Sequence, residues 1–360
     1  MQRNLNRVAA LSTTILVVVG LIIYFTQPQA RFSNITVIPT TEESPTVRIP
    51  LSGIVEAERT DAFNVTRFTR HTTNATSELL WLSLTYNKDS WGRNRLRWTR
   101  TVDDYLKLLP LQHNVETISL GLLTSSVDEY HKYKAATARY PFARVEIILH
   151  PGYHNSNGST VDREHRHDDE VQAARRSEIA LLRNYLMLKT LEAESHILWV
   201  DADIFRLDEG IVRRILQHIR DEEAIGLVTA RCSRDGAEDY DRNAWRGTRK
   251  GPRGWDLDQD EIAKGELKTQ GQYHVDKLIV GTTNDDLVDL DTIGATILYL
   301  RASLIWQGLN FPHQFVIGTR WKKDGWDGIE SEGLCYRAKG LSGGKCAVLG
   351  GEWSIQHTDF

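Results

Sequence analysis

A chain of 360 residues that is 41% hydrophobic and 26% charged has the apolar content for a sizeable core, which excludes disordered, collagen-like and disulfide-scaffold classes. Its 44 Lys and Arg against 48 Asp and Glu leave a formal net charge of −4. No polycationic surface is on offer to a phosphate backbone, so nucleic acid is not an expected partner.

In chain order, the first predicted element is a membrane anchor. Residues 8–26 (VAALSTTILVVVGLIIYFT) carry no charge and, at about 1.5 Å rise per residue, are long enough to cross about 30 Å of hydrocarbon. Arg3 and Arg7 precede them, which keeps residues 1–7 as a cytosolic tail and sends the rest of the chain to the lumen. A cleaved signal peptide is the rival. Its apolar region runs only about 7 to 15 residues, and Pro28-Gln29-Ala30 makes a poor cleavage site. Residues 27–77, rich in Thr, Ser, Pro and charge, predict a luminal stalk, since such a composition cannot bury enough apolar area to offset chain entropy. Asn34, Asn64 and Asn74 each begin an N-glycosylation acceptor triplet there, and Asn157 begins a fourth. Cys232, Cys335 and Cys346 allow one bridge and one free thiol, or three free thiols.

Residues 78–360 predict an α/β domain. Short apolar runs at Leu79–Leu84, Thr117–Leu123, Arg144–Leu149 and Ile197–Val200 read as strands. They alternate with helical stretches at Thr101–Leu109 and Val171–Ala193. Continuously apolar strands predict a parallel sheet covered on both faces. The polar stretch 151–170, next to His150 and holding His154, His165 and His167, reads as a solvated loop, and 246–272 as a surface loop.

The chemistry concentrates where the fourth strand ends. Asp201 and Asp203, at i and i+2, suit a shared divalent cation and a diphosphate. Asp-x-Asp also occurs at Asp239/Asp241, Asp256/Asp258, Asp258/Asp260 and Asp289/Asp291, so spacing alone says little. Position at the carboxyl end of a buried strand separates the first pair from the rest. In the preceding helix Arg183 and Asn184 interrupt an apolar run, with Arg176 seven residues earlier on the same face. The two arginines suit either a nucleotide-sugar phosphate or a structural carboxylate such as Asp201. His357, near the C-terminus, is either a third metal ligand or an ordinary terminal histidine. No P-loop, GxGxxG after a strand, GxSxG or HExxH is present.

Three blocks carry a family resemblance. Gln172 to Arg176, Arg183 to Leu186 and Trp199 to Ile204 resemble the central block of the fungal mannan-polymerase α-mannosyltransferases, glycosyltransferase family 62. Asp291 to Ile297, Arg301-Ala302 and Asn310 to Pro312 are similar to its second block, and Ser331 to Leu334 with Trp353 to His357 to its third. The resemblance implies a GT-A fold with a Rossmann-like, mostly parallel sheet and mannose transfer with retention from GDP-mannose, with Mn²⁺ as cofactor. The implied acceptor is an α-mannose on the outer chain (mannan backbone) of an N-glycan on a glycoprotein. It further implies a single-pass type II Golgi membrane protein working in a hetero-oligomer with related mannosyltransferases. By the same resemblance Asp201 and Asp203 serve the donor diphosphate and the metal, and His357 is a metal ligand. Thr85 to Asn87 lie near the guanine nucleotide, and Arg176, Arg183 and Asn184 lie on the donor side. Glu332 is the carboxylate expected to position the acceptor or take part in the chemistry. The alternatives are a non-catalytic complex subunit and a GT-A transferase of another nucleotide sugar.

Overall fold

The structure is a computed structural model, and it describes residues 53–94, 98–151, 169–235, 237–247, 272–316 and 328–358. The strands in chain order are β1 (Ile54–Thr60), β2 (Thr66–Thr72), β3 (Leu79–Leu84), β4 (Ile118–Thr124), β5 (Arg144–Leu149), β6 (His196–Val200), β7 (Ile204–Leu207), β8 (Ile225–Thr229), β9 (Arg231–Ser233), β10 (Trp245–Gly247), β11 (Gln272–His274), β12 (Leu287–Leu290), β13 (Ile297–Arg301), β14 (Lys345–Leu349) and β15 (Ser354–His357). The main sheet has the order β1-β2-β5-β4-β3-β6-β13-β8-β14-β12. Its centre is the parallel run β5-β4-β3-β6, and β13 enters antiparallel between β6 and β8.

The apolar strands are covered on both faces, as their composition requires. Trp81, Leu198 and Val200 face one core, while Leu80, Leu82, Ile197 and Trp199 face the other. That is the period of two expressed in a strand with no polar side. Helix α1 (Val127–Thr137) and helix α3 (Ile211–Asp221) close the first core, and helix α2 (Asp169–Thr190) closes the second. The stretch expected to be helical around residues 101–109 splits into Val102–Leu106 and Leu109–Gln112. Pro110 stands in the first turn of the second piece, the one place in a helix that tolerates a proline.

The predicted stalk ends too late. Residues 54–72, assigned to it by composition, form β1 and β2, and β2 pairs with β5 from Thr66 to His71. These strands escape a composition test because they lie at the sheet's edge and are polar. In β2 only Phe68 and Arg70 are buried, a two-residue alternation that Thr, Arg and His disguise.

Asn64 and Asn74 occupy exposed turns with φ of 60° and 64°, a conformation asparagine tolerates. Asn34, Asn157 and the predicted anchor 8–26 lie outside the described residues. Among the described residues no helix is long and apolar enough to cross a membrane. Cys335 and Cys346 form a disulfide that ties the helical turn Leu334–Ala338 to β14, and Cys232 is a buried free thiol.

Two small sheets complete the fold. β10 and β11 form an antiparallel ribbon; residues 248–271 between them lie outside the described residues. β15 returns from the C-terminal side to lie between β7 and β9, setting His357 opposite Ile204.

Candidate active site

The Asp-Ala-Asp segment is the turn between β6 and β7. Asp201 N donates to Thr296 O at 3.0 Å, and Asp201 O accepts from Ile204 N at 3.1 Å. The turn gives its two carboxylates different partners.

Asp201 faces helix α2, where Arg183 Nη2 donates to Asp201 Oδ1 at 2.8 Å. Arg183 Nε lies 3.4 Å from Glu330 Oε1, and Arg176, two turns earlier, donates to Ile329 O at 2.6 Å and Glu332 Oε2 at 3.1 Å. The helical repeat thus places both arginines over one turn, Glu330–Gly333, and charges alternate in sign from Glu332 to Asp201. The Asp201 side chain keeps 37% exposure. Burial, reinforced by Asp203, Glu330 and Asp241 and opposed by Arg183, pushes its carboxyl up to about 7.

Asp203 faces the C-terminal strand. His357 Nε2 sits 3.0 Å from Asp203 Oδ2, Thr358 N donates to Asp203 O at 3.0 Å, and the Tyr240 ring lies 4.3 Å from the imidazole. Gly92 closes the other side. A Cβ there would come within 1.8 Å of Thr358 Oγ1 and 3.3 Å of Asp203 Cβ, so only glycine, at φ 69°, permits this approach. Arg100 donates to Ala202 O at 3.3 Å, and its charge lies near Asp203.

A divalent ion such as Mn²⁺ would find one oxygen and one nitrogen donor here. Asp203 Oδ2 and His357 Nε2 stand 3.0 Å apart, and a carboxylate oxygen and an imidazole nitrogen are donors this metal would take. Among the described residues no group of three or more His, Cys, Asp or Glu gathers as a cage. The protein would supply two ligands and leave the others to substrate phosphates and water, a usual division for phosphate-bound divalent ions.

The remaining expected site residues are tied into the fold. Thr85 Oγ1 bonds Tyr133 Oη at 2.6 Å and Leu123 O at 3.1 Å. Asn87 caps the short helix Lys88–Trp91, its Oδ1 accepting from Asp89 N at 2.9 Å. Both ends of the Asn184 amide hold Phe311, at 2.7 Å to its O and 2.8 Å from its N. Glu332 is 1% exposed and pairs with Arg176.

Sequence reasoning missed Glu330 and Asp241. Glu330 has no motif of its own apart from its distance to Glu332. Asp241 was set aside as part of a background Asp-x-Asp pair, yet it is buried and accepts from Thr296 N at 3.2 Å and Thr296 Oγ1 at 3.0 Å. Thr296 therefore carries Asp201 by its carbonyl and Asp241 by its amide and hydroxyl. A Cβ on Gly294 would lie 2.1 Å from Asp241 Oδ2, which gives that glycine its reason.

Comparison with known proteins agrees with the family resemblance of the first two blocks; the third block lies beyond the residues that the family model matches. The protein Mannan polymerase complex subunit mnn9 of Schizosaccharomyces pombe is 27% identical over 256 residues, spanning 66% of this chain and 71% of that one. Among solved structures, 4-diphosphocytidyl-2C-methyl-D-erythritol synthase from Anaerococcus prevotii aligns at 10% identity and a TM-score of 0.38, over 79% of this chain and 89% of its own. A mycobacterial protein aligns at 12% identity and a TM-score of 0.33, over 79% and 69%. Scores at that level carry no functional weight. The Anp1 family profile matches residues 60–314, well over half of the sequence, and the chain belongs to the Anp1 family.

Proposed function

We propose that this chain is a Golgi mannosyltransferase that moves mannose with retention from GDP-mannose to an α-mannose of an N-glycan outer chain. The observation that carries the reading is the pairing of Asp203 with His357 at 3.0 Å beside the Asp201–Arg183 pair, at the carboxyl end of a parallel strand. A related protein named as a mannan polymerase complex subunit supports both the sugar and a hetero-oligomeric setting. The anchor at 8–26 would make the chain a single-pass type II protein, with Asn64 and Asn74 presented to luminal glycosylation.

Negative charge grows on GDP as its bond to the anomeric carbon breaks. Mn²⁺, held by Asp203 and His357, supplies Lewis-acid stabilisation of that charge when bound. Arg183 Nε and Nη1 are buried and have no hydrogen-bond partner among the described residues, and in this reading the unspent terminal nitrogen Nη1 would donate to a phosphate oxygen. Asp201 holds the guanidinium by its other terminal nitrogen. Retention requires either attack from the face the diphosphate leaves or double displacement through an enzyme carboxylate. Glu332, enclosed and held by Arg176, is a supporting group in this reading. The route proposed is front-face attack, with the acceptor hydroxyl forming the new bond to the anomeric carbon as the bond to the diphosphate breaks and its proton passing to the departing phosphate oxygen.

The test is transfer by the full-length protein, screened over nucleotide sugars with and without Mn²⁺. Activity confined to GDP-mannose supports the proposal. Metal-dependent activity with another nucleotide sugar replaces the donor, and a folded chain inactive with all of them leaves the non-catalytic subunit.

A further inference from the structure

Among the described residues, three that are not glycine have positive φ: Asn64, Asn74 and Glu330, the last at 61°. The two asparagines sit in exposed turns, where their short amides suit the left-handed region. Glu330 is buried, and its longer side chain has no such affinity for that conformation.

The surroundings over-determine it. Glu330 N donates to Pro312 O at 2.7 Å, and the preceding carbonyl, Ile329 O, takes Arg176 Nη2 at 2.6 Å. A Cβ on Gly333 would lie 1.9 Å from Gly328 O, so the turn is closed too tightly to relax. The Cys335–Cys346 bridge then fastens the segment that follows. Strain held this firmly persists when something else depends on it.

The side chain shows what depends on it. Glu330 Oε1 lies 3.4 Å from Arg183 Nε, and Oε2 lies 3.9 Å from Arg176 Nε and takes the Ser331 hydroxyl at 3.1 Å. The Arg183 guanidinium is further confined by the Trp199 and Phe311 rings, at 5.2 Å and 5.4 Å from their centroids. With Nη2 on Asp201 and Nε held only by charge beside Glu330 at 3.4 Å, Nε and Nη1 both lack a hydrogen bond among the described residues, and Nη1 is the terminal nitrogen left over.

We infer that Glu330 is a positioning residue for the transfer reaction: from its strained backbone it fixes Arg183, so that Nη2 holds Asp201 while Nη1 is kept for an oxygen of the donor diphosphate. The inference rests on the transferase reading and adds a residue that acts only through Arg183.

The experiment compares full-length wild type, Glu330→Gln, Glu330→Gly, Arg183→Lys and Glu330→Gln/Arg183→Lys, with kcat and donor KM normalised to folded protein and thermal melts recorded alongside. Glu330→Gln is expected to lower kcat by about 10-fold or more, as removal of a group that orients an active-site ligand commonly does, with donor KM within about 3-fold. In the Arg183→Lys background the same change should cost less than about 2-fold, because residues acting as a unit are not additive. Glu330→Gly relieves the backbone and serves if the glutamine variant does not fold; it should remain as slow. Unchanged kcat in either folded variant, or fully additive losses in the double variant, overturns the inference and leaves Glu330 as a structural counter-ion. A wild-type chain that turns over no nucleotide sugar overturns the transferase reading itself, whereas an active wild type with an equally active Glu330→Gln overturns only the role of Glu330.

Discussion

Two buried charge networks lie in this molecule, and they are completed differently. In the first, Arg144 on β5 reaches Glu146, Glu194, Thr190 O and Ser119 Oγ, and Arg67 on β2 donates to Glu146 at 2.6 Å. None of its charged atoms is among the buried groups lacking a hydrogen bond. Burial holds the Glu146 carboxyl above its ordinary value against Arg144 and Arg67, whereas at Glu194 hydrogen bonds from Ser119, Arg144 and the Glu192 amide outweigh burial and bring the carboxyl below its ordinary value. In the second network, Arg176 Nε and Arg183 Nε and Nη1 have no hydrogen-bond partner among the described residues, Glu330 is strained, and Asp201 is raised to about 7. A network that joins strands to a helix uses its donors within the fold. One that receives the donor, as proposed, would leave donors and charge over.

That contrast breaks if mutation treats the two alike. The largest expected effect is at Asp203: Asp203→Ala should lower transfer by about 10³-fold or more, as loss of a group stabilising charge in the transition state does, with the melt nearly unchanged. The mirror image is Arg144→Met, which takes from Glu194 its arginine and leaves Glu146 with Arg67 alone. It should cost about 3–5 kcal/mol of stability in denaturant titrations, with unchanged kcat for the protein that remains folded. Next, His357→Ala should weaken Mn²⁺-dependent GDP binding by about 10- to 100-fold in calorimetric titration and leave metal-free binding alone. An unaltered Mn²⁺ requirement would remove His357 from the site. Replacing Cys335 and Cys346 by Ser releases a loop with a sequence separation of 11 and should cost about 3 kcal/mol.

The smallest effect concerns pH. Burial, opposed by Arg242 and the Asp276 amide, raises the Asp239 carboxyl to about 6 from an ordinary 3.8. The folded state therefore binds the proton more tightly, and this contribution to stability is complete below about 4 and lost as pH rises through about 6. Asp239→Asn should flatten the stability profile in that window; an unchanged slope would place the titration elsewhere.

The sequence made the central strands and the Asp201/Asp203 pair legible because both depend on local pattern. β3, β4 and β6 are apolar on both faces, and the aspartates follow directly from the strand. Arg183 was legible as a buried charge needing a partner, and its partner proved to include Asp201. What stayed hidden is what tertiary contact decides. The edge strands β1 and β2 carry too few apolar residues to separate from a stalk, and β13 gives no sign of its antiparallel direction. Asp241 acquires its place only when β13 brings Thr296 against it. Glu330 acquires its place through a backbone conformation that its residue type does not announce.

The most direct test of the account is mannosyl transfer by the full-length protein from GDP-mannose to an α-mannoside acceptor, with and without Mn²⁺, in wild type and Asp203→Ala. The account predicts Mn²⁺-dependent formation of an α-linked product by wild type and its loss in the variant. Folded wild type that makes no product under any metal condition, or Asp203→Ala that matches wild type, would contradict it.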